Sequence, residues 1–330
     1  MKDGFYMGYD AAGLESWEVL DQARILLNDG WFNAGYQLIA LGRIAREQRE
    51  EMILAAAKLR STGFQIGVSV GAGVSAGEME QEIQAFGARM VTIEHAGDRK
   101  QTETLAAAVR PGVRTGIRVP EGDLCWAAEA ADTVILDVMK PESDFFEVTR
   151  NELDSCRDGD TDTGKSAANL RAACLKDGGR ILPGNVVTRF DYFRNEAIFL
   201  QMCMLGGPLM LEGDLADITP EMADLACDER VIHAAGCGAG RVLRYYDPWH
   251  VLLGKADGEK YAYALMLNRC HGDQPTNLLP ADLGWNGRFA VRLWPEDELA
   301  GACLETYEAH VETSDHPQTP CCRLLRAERL

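Results

Sequence analysis

The sequence predicts an α/β fold, a compact (β/α)8 barrel followed by a C-terminal antiparallel β-sandwich, and three observations carry that expectation. Short apolar or β-branched runs alternate with helical segments eight times before residue 238. The helices stop at Gly or Pro just ahead of the next strand, as at Gly63, Gly87 and Pro111-Gly112. After Cys237-Gly238-Ala239-Gly240 the alternation ends, and only short strands separated by Asp-Gly, Asn-Gly and Pro turns remain. The expected boundaries are 1–238 for the barrel and 239–330 for the β-domain.

Taken in order, the strand Phe5–Tyr9 precedes a helix over Ser16–Asp29, and Asn33-Ala34-Gly35 leads into the strand Tyr36–Ala40. Helix Arg46–Leu59 gives way to Phe64–Val70, helix Ala76–Phe86 to Met90–Ile93, and helix Gln101–Val109 to Thr115–Val119. Three shorter units complete the series: helix Asp123–Ala130 with strand Thr133–Val138, a helix within Lys165–Leu175 with strand Arg180–Leu182, and helix Asp191–Leu205 with strand Pro208–Leu211. Residues 152–165, rich in Asp, Gly and Thr, read as a surface loop. The tail reads as strands Trp249–Leu253, Tyr261–Leu267, Arg288–Leu293, Cys303–Tyr307 and Cys322–Leu325, with Asp257-Gly258 marking a hairpin.

The segment Phe199–Asp228 is the most informative. An apolar helix meets the Gly206-Gly207-Pro208 break, then the short run Leu209-Met210-Leu211, of a length suited to a strand buried on both faces. Glu212 and Asp214 follow at the strand's C-terminal end, where α/β barrels place ligand chemistry. They are either polar groups of a pocket or part of a solvated acidic loop ahead of a helix that starts at Thr219-Pro220. Asp217 reads as loop.

With 330 residues the chain has length for a large core and a second, smaller unit. Fifty-one acidic against 33 basic residues give a formal charge of −18, which repels a phosphate backbone, so neither nucleic acid nor an anionic membrane is an expected partner. The longest strongly apolar run, Met202–Leu211, is broken by Gly and Pro and falls far short of the roughly 20 residues that span a bilayer. No apolar core or cleavage pattern follows Met1-Lys2-Asp3-Gly4, so no signal peptide is read and a cytoplasmic location is expected. The ten cysteines form no CxxC pair and read as reduced, apolar thiols; the vicinal Cys321-Cys322 pair falls in the final strand and carries no chemistry. The six histidines show no metal spacing, and no metal or cofactor is expected.

The chain resembles the melibiase-type glycoside hydrolases, the α-galactosidases and α-N-acetylgalactosaminidases built as a β/α barrel followed by an antiparallel β-domain. The block Met204–Ile232 carries most of the likeness, with its helix, Gly-Pro turn, apolar strand, Asp-Leu pair and Thr-Pro helix start. Met7-Gly8-Tyr9-Asp10 is similar to the family's opening Met-Gly-Trp-Asn, Ala34-Gly35-Tyr36 to the approach to its second strand, and Tyr263–Arg269 with Ala281–Gly284 to its β-domain. The resemblance implies a carbohydrate substrate and retaining cleavage of an O-glycosidic bond. A homo-oligomer stays open.

The catalytic signature departs from that pattern. Relatives carry Lys-x-Asp at the fourth strand, with the Asp as nucleophile; here Thr92-Ile93-Glu94-His95 puts Glu94 in that place and lacks the lysine. The paired aspartates that close the relatives' second strand are replaced by Leu41-Gly42-Arg43. At the sixth strand, Val134-Ile135-Leu136-Asp137 supplies Asp137 as acid/base, and the apolar residues before it suit a proton donor. Arg118 and Glu121 stand near a sugar-contacting acid of the fifth strand. The catalytic candidates are therefore Glu94 and Asp137, although acids at strand ends also cap helices. The substrate-binding candidates are Tyr9, Asp10, Arg43, His95, Arg118, Glu121, Asn185, Glu212 and Asp214. For His95 a hydrogen-bonded core histidine is the competing reading, and for Asn185 a turn. Trp31, Trp126 and Trp249 read as packing residues, and Gly71-Ala72-Gly73 as a loop that keeps the pocket open. The substitutions point to a substrate other than a plain α-galactoside, or to a catalytically degenerate relative that only binds carbohydrate.

Overall fold

A computed structural model describes residues 5–95, 97–120, 126–127, 130–137, 196, 199–200, 203–204, 208–237, 241–247, 250–268, 274–311 and 321–330. The chain divides into two compact units, one of Tyr6–Pro183 with Gly207–Ala216 and one of Met1–Phe5, Gly184–Gly206 and Asp217–Leu330. Among the described residues, no helix is long and apolar enough to cross a membrane.

The first unit is built on seven parallel strands: β1 (Met7–Asp10), β2 (Tyr36–Ala40), β3 (Gln65–Gly71), β4 (Met90–Glu94), β5 (Arg114–Pro120), β6 (Thr133–Asp137) and β7 (Leu209–Glu212). Their order is β6-β5-β4-β3-β2-β1-β7. The last strand thus lies beside the first, as in a sheet wrapped into a cylinder. The expected seventh strand, Arg180–Leu182, lies outside the described residues, as do the helix within Lys165–Leu175 and the loop 152–165. Gly8 is what lets β1 close on β2, since a Cβ there would collide with the Leu38 carbonyl.

The helices connecting these strands are α1 (Ser16–Asn28), α2 (Trp31–Ala34), α3 (Arg49–Ser61), α4 (Ala76–Phe86) and α5 (Arg99–Ala108). Local chemistry fixes their ends. Ser75 and Glu78 form a capping box that opens α4, and Gly87, at φ 58°, closes it in the left-handed conformation. Asp98 caps α5 by accepting from the Gln101 amide. The expected helix Arg46–Leu59 begins instead as a 3₁₀ turn over Arg46–Gln48, a common tightening of a helix's first turn. Val91 and Ile93 of β4, Ile117 of β5 and Ile39 of β2 are fully buried, which accounts for continuous apolar runs rather than alternation.

The second unit contains α6 (Pro220–Cys227) and α7 (Glu229–Gly236), followed by antiparallel strands. Thr219 caps α6 through its hydroxyl, with Pro220 in the first turn, as the sequence suggested. A six-stranded sheet has the order β13-β12-β15-β10-β9-β8, from β8 (Arg241–Asp247), β9 (His250–Asp257), β10 (Tyr261–Asn268), β12 (Phe289–Leu293), β13 (Glu298–Leu304) and β15 (Cys321–Arg329). A two-stranded sheet pairs β11 (Gln274–Leu278) with β14 (Tyr307–Val311). Leu278 of β11 and Tyr307 of β14 pack on a core of Ala264, Met266, Phe289, Val291 and Leu325 from the larger sheet, so the two layers form a sandwich.

One expectation for the tail needs correction, and two strands add to it. The run Cys303–Tyr307 is not one strand: Cys303 takes a φ of 56°, and Glu305-Thr306 turns the chain between β13 and β14. Strand β11 escaped notice because Pro275 interrupts its pattern, which a two-stranded sheet tolerates. Strand β8 pairs only on one side, with an irregular register near Val242 and Arg244, and lacks a clean period. The hairpin at Asp257-Gly258 stands, with Asp257 opposite Tyr261 and Gly258 at φ 76°.

Candidate active site at the strand ends of the parallel sheet

The C-terminal ends of β3, β4 and β5 bring one row of residues together, Gly71 opposite Glu94 and Glu94 opposite Arg118. In-register residues of parallel strands present the same face, so these three share a side of the sheet. The Glu94 Oε1 lies 3.7 Å from Arg118 Nη1, with the two side chains 27% and 15% exposed. Arg43 lies beside Gly71: a Cβ built there would be 3.9 Å from the Arg43 Cζ and Nη1, an ordinary van der Waals contact. Glu94 therefore has the Arg118 guanidinium on the β5 side and the side-chain-free Gly71, beside which Arg43 lies, on the β3 side. The row sits where the buried core stops, as Ile93 is fully buried and Glu94 is half-buried.

His95, one residue on, is held from its Nδ1. The Thr102 hydroxyl donates its one proton to the Asp98 carbonyl at 3.0 Å, so the same oxygen accepts from His95 Nδ1–H at 2.9 Å. His95 thus has its ring held from the Nδ1 side. Its amide donates to the Arg118 carbonyl, tying the residue to β5, and its ring meets the Trp126 edge at 5.0 Å. Arg99 covers the same indole from 5.5 Å. Sequence inspection passed over Thr102 and Asp98, although an Asp cap four residues before a buried Thr on an apolar helix face is a readable signal.

On the β1–β7 side the candidates are engaged differently. Tyr9 is buried, and its hydroxyl donates to the Gly213 carbonyl at 2.7 Å, which makes it a strap between the β1 core and the loop after β7. Asp10 accepts from the Ala12 amide at 3.0 Å, an Asx turn at the strand's own end. Asp214 repeats that turn with Ala216 and also accepts from Gln22 Nε2 at 2.9 Å, while Gln22 Oε1 accepts from the Leu215 amide. For Asp214 the structure thus favours the loop reading. Gln22 was missed, yet it interrupts the apolar stripe Val19, Ala23, Leu26 of α1, the mark of a buried polar group with a dedicated partner.

Asp137 ends β6 opposite Pro120, and Glu212 ends β7 opposite Asp10. Glu121 and Asn185, like Trp249, lie outside the described residues. A cavity of about 410 Å³ lined by Arg60, Arg89 and Arg110 sits at the opposite, N-terminal ends of β3 and β4 and takes no part in this row.

No protein-family model and no curated protein sequence matches the chain. Solved structures do. The α-galactosidase I of Mortierella vinacea superposes with a TM-score of 0.75 at 12% identity, covering 98% of this chain and 96% of that one. A GH27 β-L-arabinopyranosidase of Geobacillus stearothermophilus gives 0.76 at 12% identity over 99% and 96%. The α-galactosidase of Saccharomyces cerevisiae gives 0.71 at 13% identity over 98% and 97%. The chain has the melibiase-type fold, a (β/α)8 barrel followed by an antiparallel β-sandwich.

Proposed function

We propose that the chain is a glycoside hydrolase that cleaves an O-glycosidic bond by retaining double displacement, with Glu94 as nucleophile and Asp137 as acid/base. The observation that carries this reading is Glu94 itself, a half-buried carboxylate at the C-terminal end of β4 with the Arg118 guanidinium beside it. In the first step a Glu94 oxygen attacks the anomeric carbon while the Asp137 carboxyl gives its proton to the departing oxygen, so the glycosidic bond breaks as a glycosyl ester forms. In the second, the Asp137 carboxylate takes a proton from water, whose oxygen displaces Glu94 and restores both groups. This requires the two carboxyl groups to stand about 5–5.5 Å apart across the sugar.

The substrate is a glycoside other than a plain α-galactoside. Arg43 stands where relatives are expected to hold an aspartate pair and lies beside Gly71 at the end of β3, while Arg118 pairs with Glu94, so two guanidiniums stand at the ends of these neighbouring strands. Guanidinium groups match the geometry of a carboxylate or sulfate, so an acidic sugar fits this rim better than a neutral hexose. Assaying aryl glycosides of neutral and uronic sugars tests both parts. Turnover confined to acidic sugars and abolished in Glu94→Gln is the expected result.

A second reading, a carbohydrate-binding relative without turnover, draws on the same ion pair, since Arg118 occupies the carboxylate that would attack. Calorimetric sugar binding without hydrolysis of any aryl glycoside would select it; turnover of one would eliminate it.

A further inference from the structure

Away from the parallel sheet, three side chains of different chemistry converge on one point. His233 and Cys237 stand one helical turn apart at the end of α7, and Asp257 closes β9 ahead of the hairpin. His233 Nε2 lies 3.1 Å from Asp257 Oδ2 and 3.6 Å from Cys237 Sγ, and all three donor atoms fall within 4.8 Å of one another. Among the described residues this is the one group of three such donors that close. We propose that it binds a zinc-class divalent cation through His233 Nε2, Cys237 Sγ and an Asp257 oxygen, with solvent in the fourth position.

The spacing supports a cation. A tetrahedral zinc with bonds of about 2.0–2.3 Å holds nitrogen, oxygen and sulfur donors about 3.3–3.6 Å apart, and the separations of His233 Nε2 from Asp257 Oδ2 and from Cys237 Sγ, 3.1 and 3.6 Å, fall within a few tenths of an ångström of that. The donor set, one imidazole, one thiol and one carboxylate, is borderline-soft and suits zinc rather than calcium or magnesium. Tyr263 hydrogen-bonds to Asp257 and lies edge-on to the His233 ring at 6.4 Å, so one residue of β10 orients two of the ligands. The His233 side chain is 61% exposed, which leaves a path for the ion to enter. Cys237 Sγ donates to the His233 carbonyl at 3.1 Å; coordination would release that thiol proton to solvent and turn the sulfur toward the ion. The bound cation would pin the last turn of α7 to the β9–β10 hairpin. The linear sequence conceals this because its third ligand comes 20 residues after the second, and His-x3-Cys alone is not a metal motif.

The test is a cobalt titration of the chelator-stripped full chain. It should bind one equivalent, with a thiolate-to-cobalt charge-transfer band and the intense visible bands of tetrahedral cobalt. Cys237→Ser should abolish the charge-transfer band, and His233→Asn and Asp257→Asn should each weaken binding by about tenfold or more. Cys303→Ser, at an exposed thiol elsewhere in the unit, should change nothing. Zinc should raise the melting temperature of the parent chain and not of Cys237→Ser. Far-UV circular dichroism establishes that each variant is folded. A band surviving in Cys237→Ser, or a parent chain that neither develops a band nor shifts its melting temperature with metal, would overturn the site and leave a His–Asp ion pair beside a thiol.

Discussion

On the β1–β7 side of the sheet's rim, Asp10 and Asp214 each accept from a backbone amide two residues on, whereas on the β4–β5 side Glu94 faces the Arg118 guanidinium. The difference follows from one methylene. An aspartate is short enough to fold back onto its own turn, and a glutamate at a strand end reaches outward instead. The comparison teaches that an acid after a strand is not informative alone; its length and the next two residues decide whether it is spent on the turn. Asp137, a short acid at the end of β6, is where this rule can be broken most usefully.

The largest effect is expected at Glu94. Glu94→Gln should lower turnover on the order of 10⁴-fold while leaving the thermal midpoint within a few degrees of the parent, as read by aryl-glycoside kinetics and calorimetry. Asp137→Asn should cost roughly 10²–10⁴-fold, with the greater loss on glycosides whose leaving groups need protonation. Equal losses across leaving groups would class Asp137 with the turn-forming acids instead.

An acid inside the second unit extends the comparison to burial. Burial first, then the neighbouring Glu296, raises Glu196 from its ordinary value of 4.5 to about 7, against a smaller opposing pull from Arg323. Between those two values the folded chain holds a proton that the unfolded chain has released, so stability falls as pH rises through that window and is level above it. Glu196→Gln should remove that fall and gain roughly 2–3 kcal/mol at pH 8 relative to the parent, with little gain near pH 4, in urea melts at the two pH values. A pH-independent gain would locate the effect in packing.

Smaller effects belong to the β1–β7 side. Tyr9→Phe removes the bond to Gly213 and should cost about 1 kcal/mol with turnover nearly unchanged. Asp214→Ala should cost about 0.5–1 kcal/mol and likewise spare catalysis, since it frees Gln22 from one of its two anchors. A tenfold fall in turnover from either would put that side of the rim back into the site.

The sequence made some of this architecture legible and concealed the rest for physical reasons. Tyr36–Ala40 and Ala76–Phe86 were readable to the residue because a β-branched or apolar run and a Ser-x-x-Glu box closed by glycine leave little choice. Strand β10 was readable as an apolar run, though burial on both faces, with Tyr263 and Leu265 as fully enclosed as Ala264 and Met266, hid which layer each residue served. Strand β11 carries a proline and β14 lies in a turn-rich stretch, so neither shows a period. At the rim, strand ends could be located but not their partners: that Tyr9 ties to Gly213, or Asp214 to Gln22, depends on contacts spanning 204 and 192 residues. Arg43 was visible as a lost aspartate pair, while its place beside Gly71 depends on packing between residues 28 positions apart.

A nucleophilic Glu94 can be caught as its glycosyl ester. Incubation with a panel of activated 2-fluoro glycosides, neutral and acidic, followed by peptide mapping in a mass spectrometer, should find a single sugar adduct on Glu94. An adduct on any other carboxylate, or steady hydrolysis of an aryl glycoside by Glu94→Gln, would contradict it.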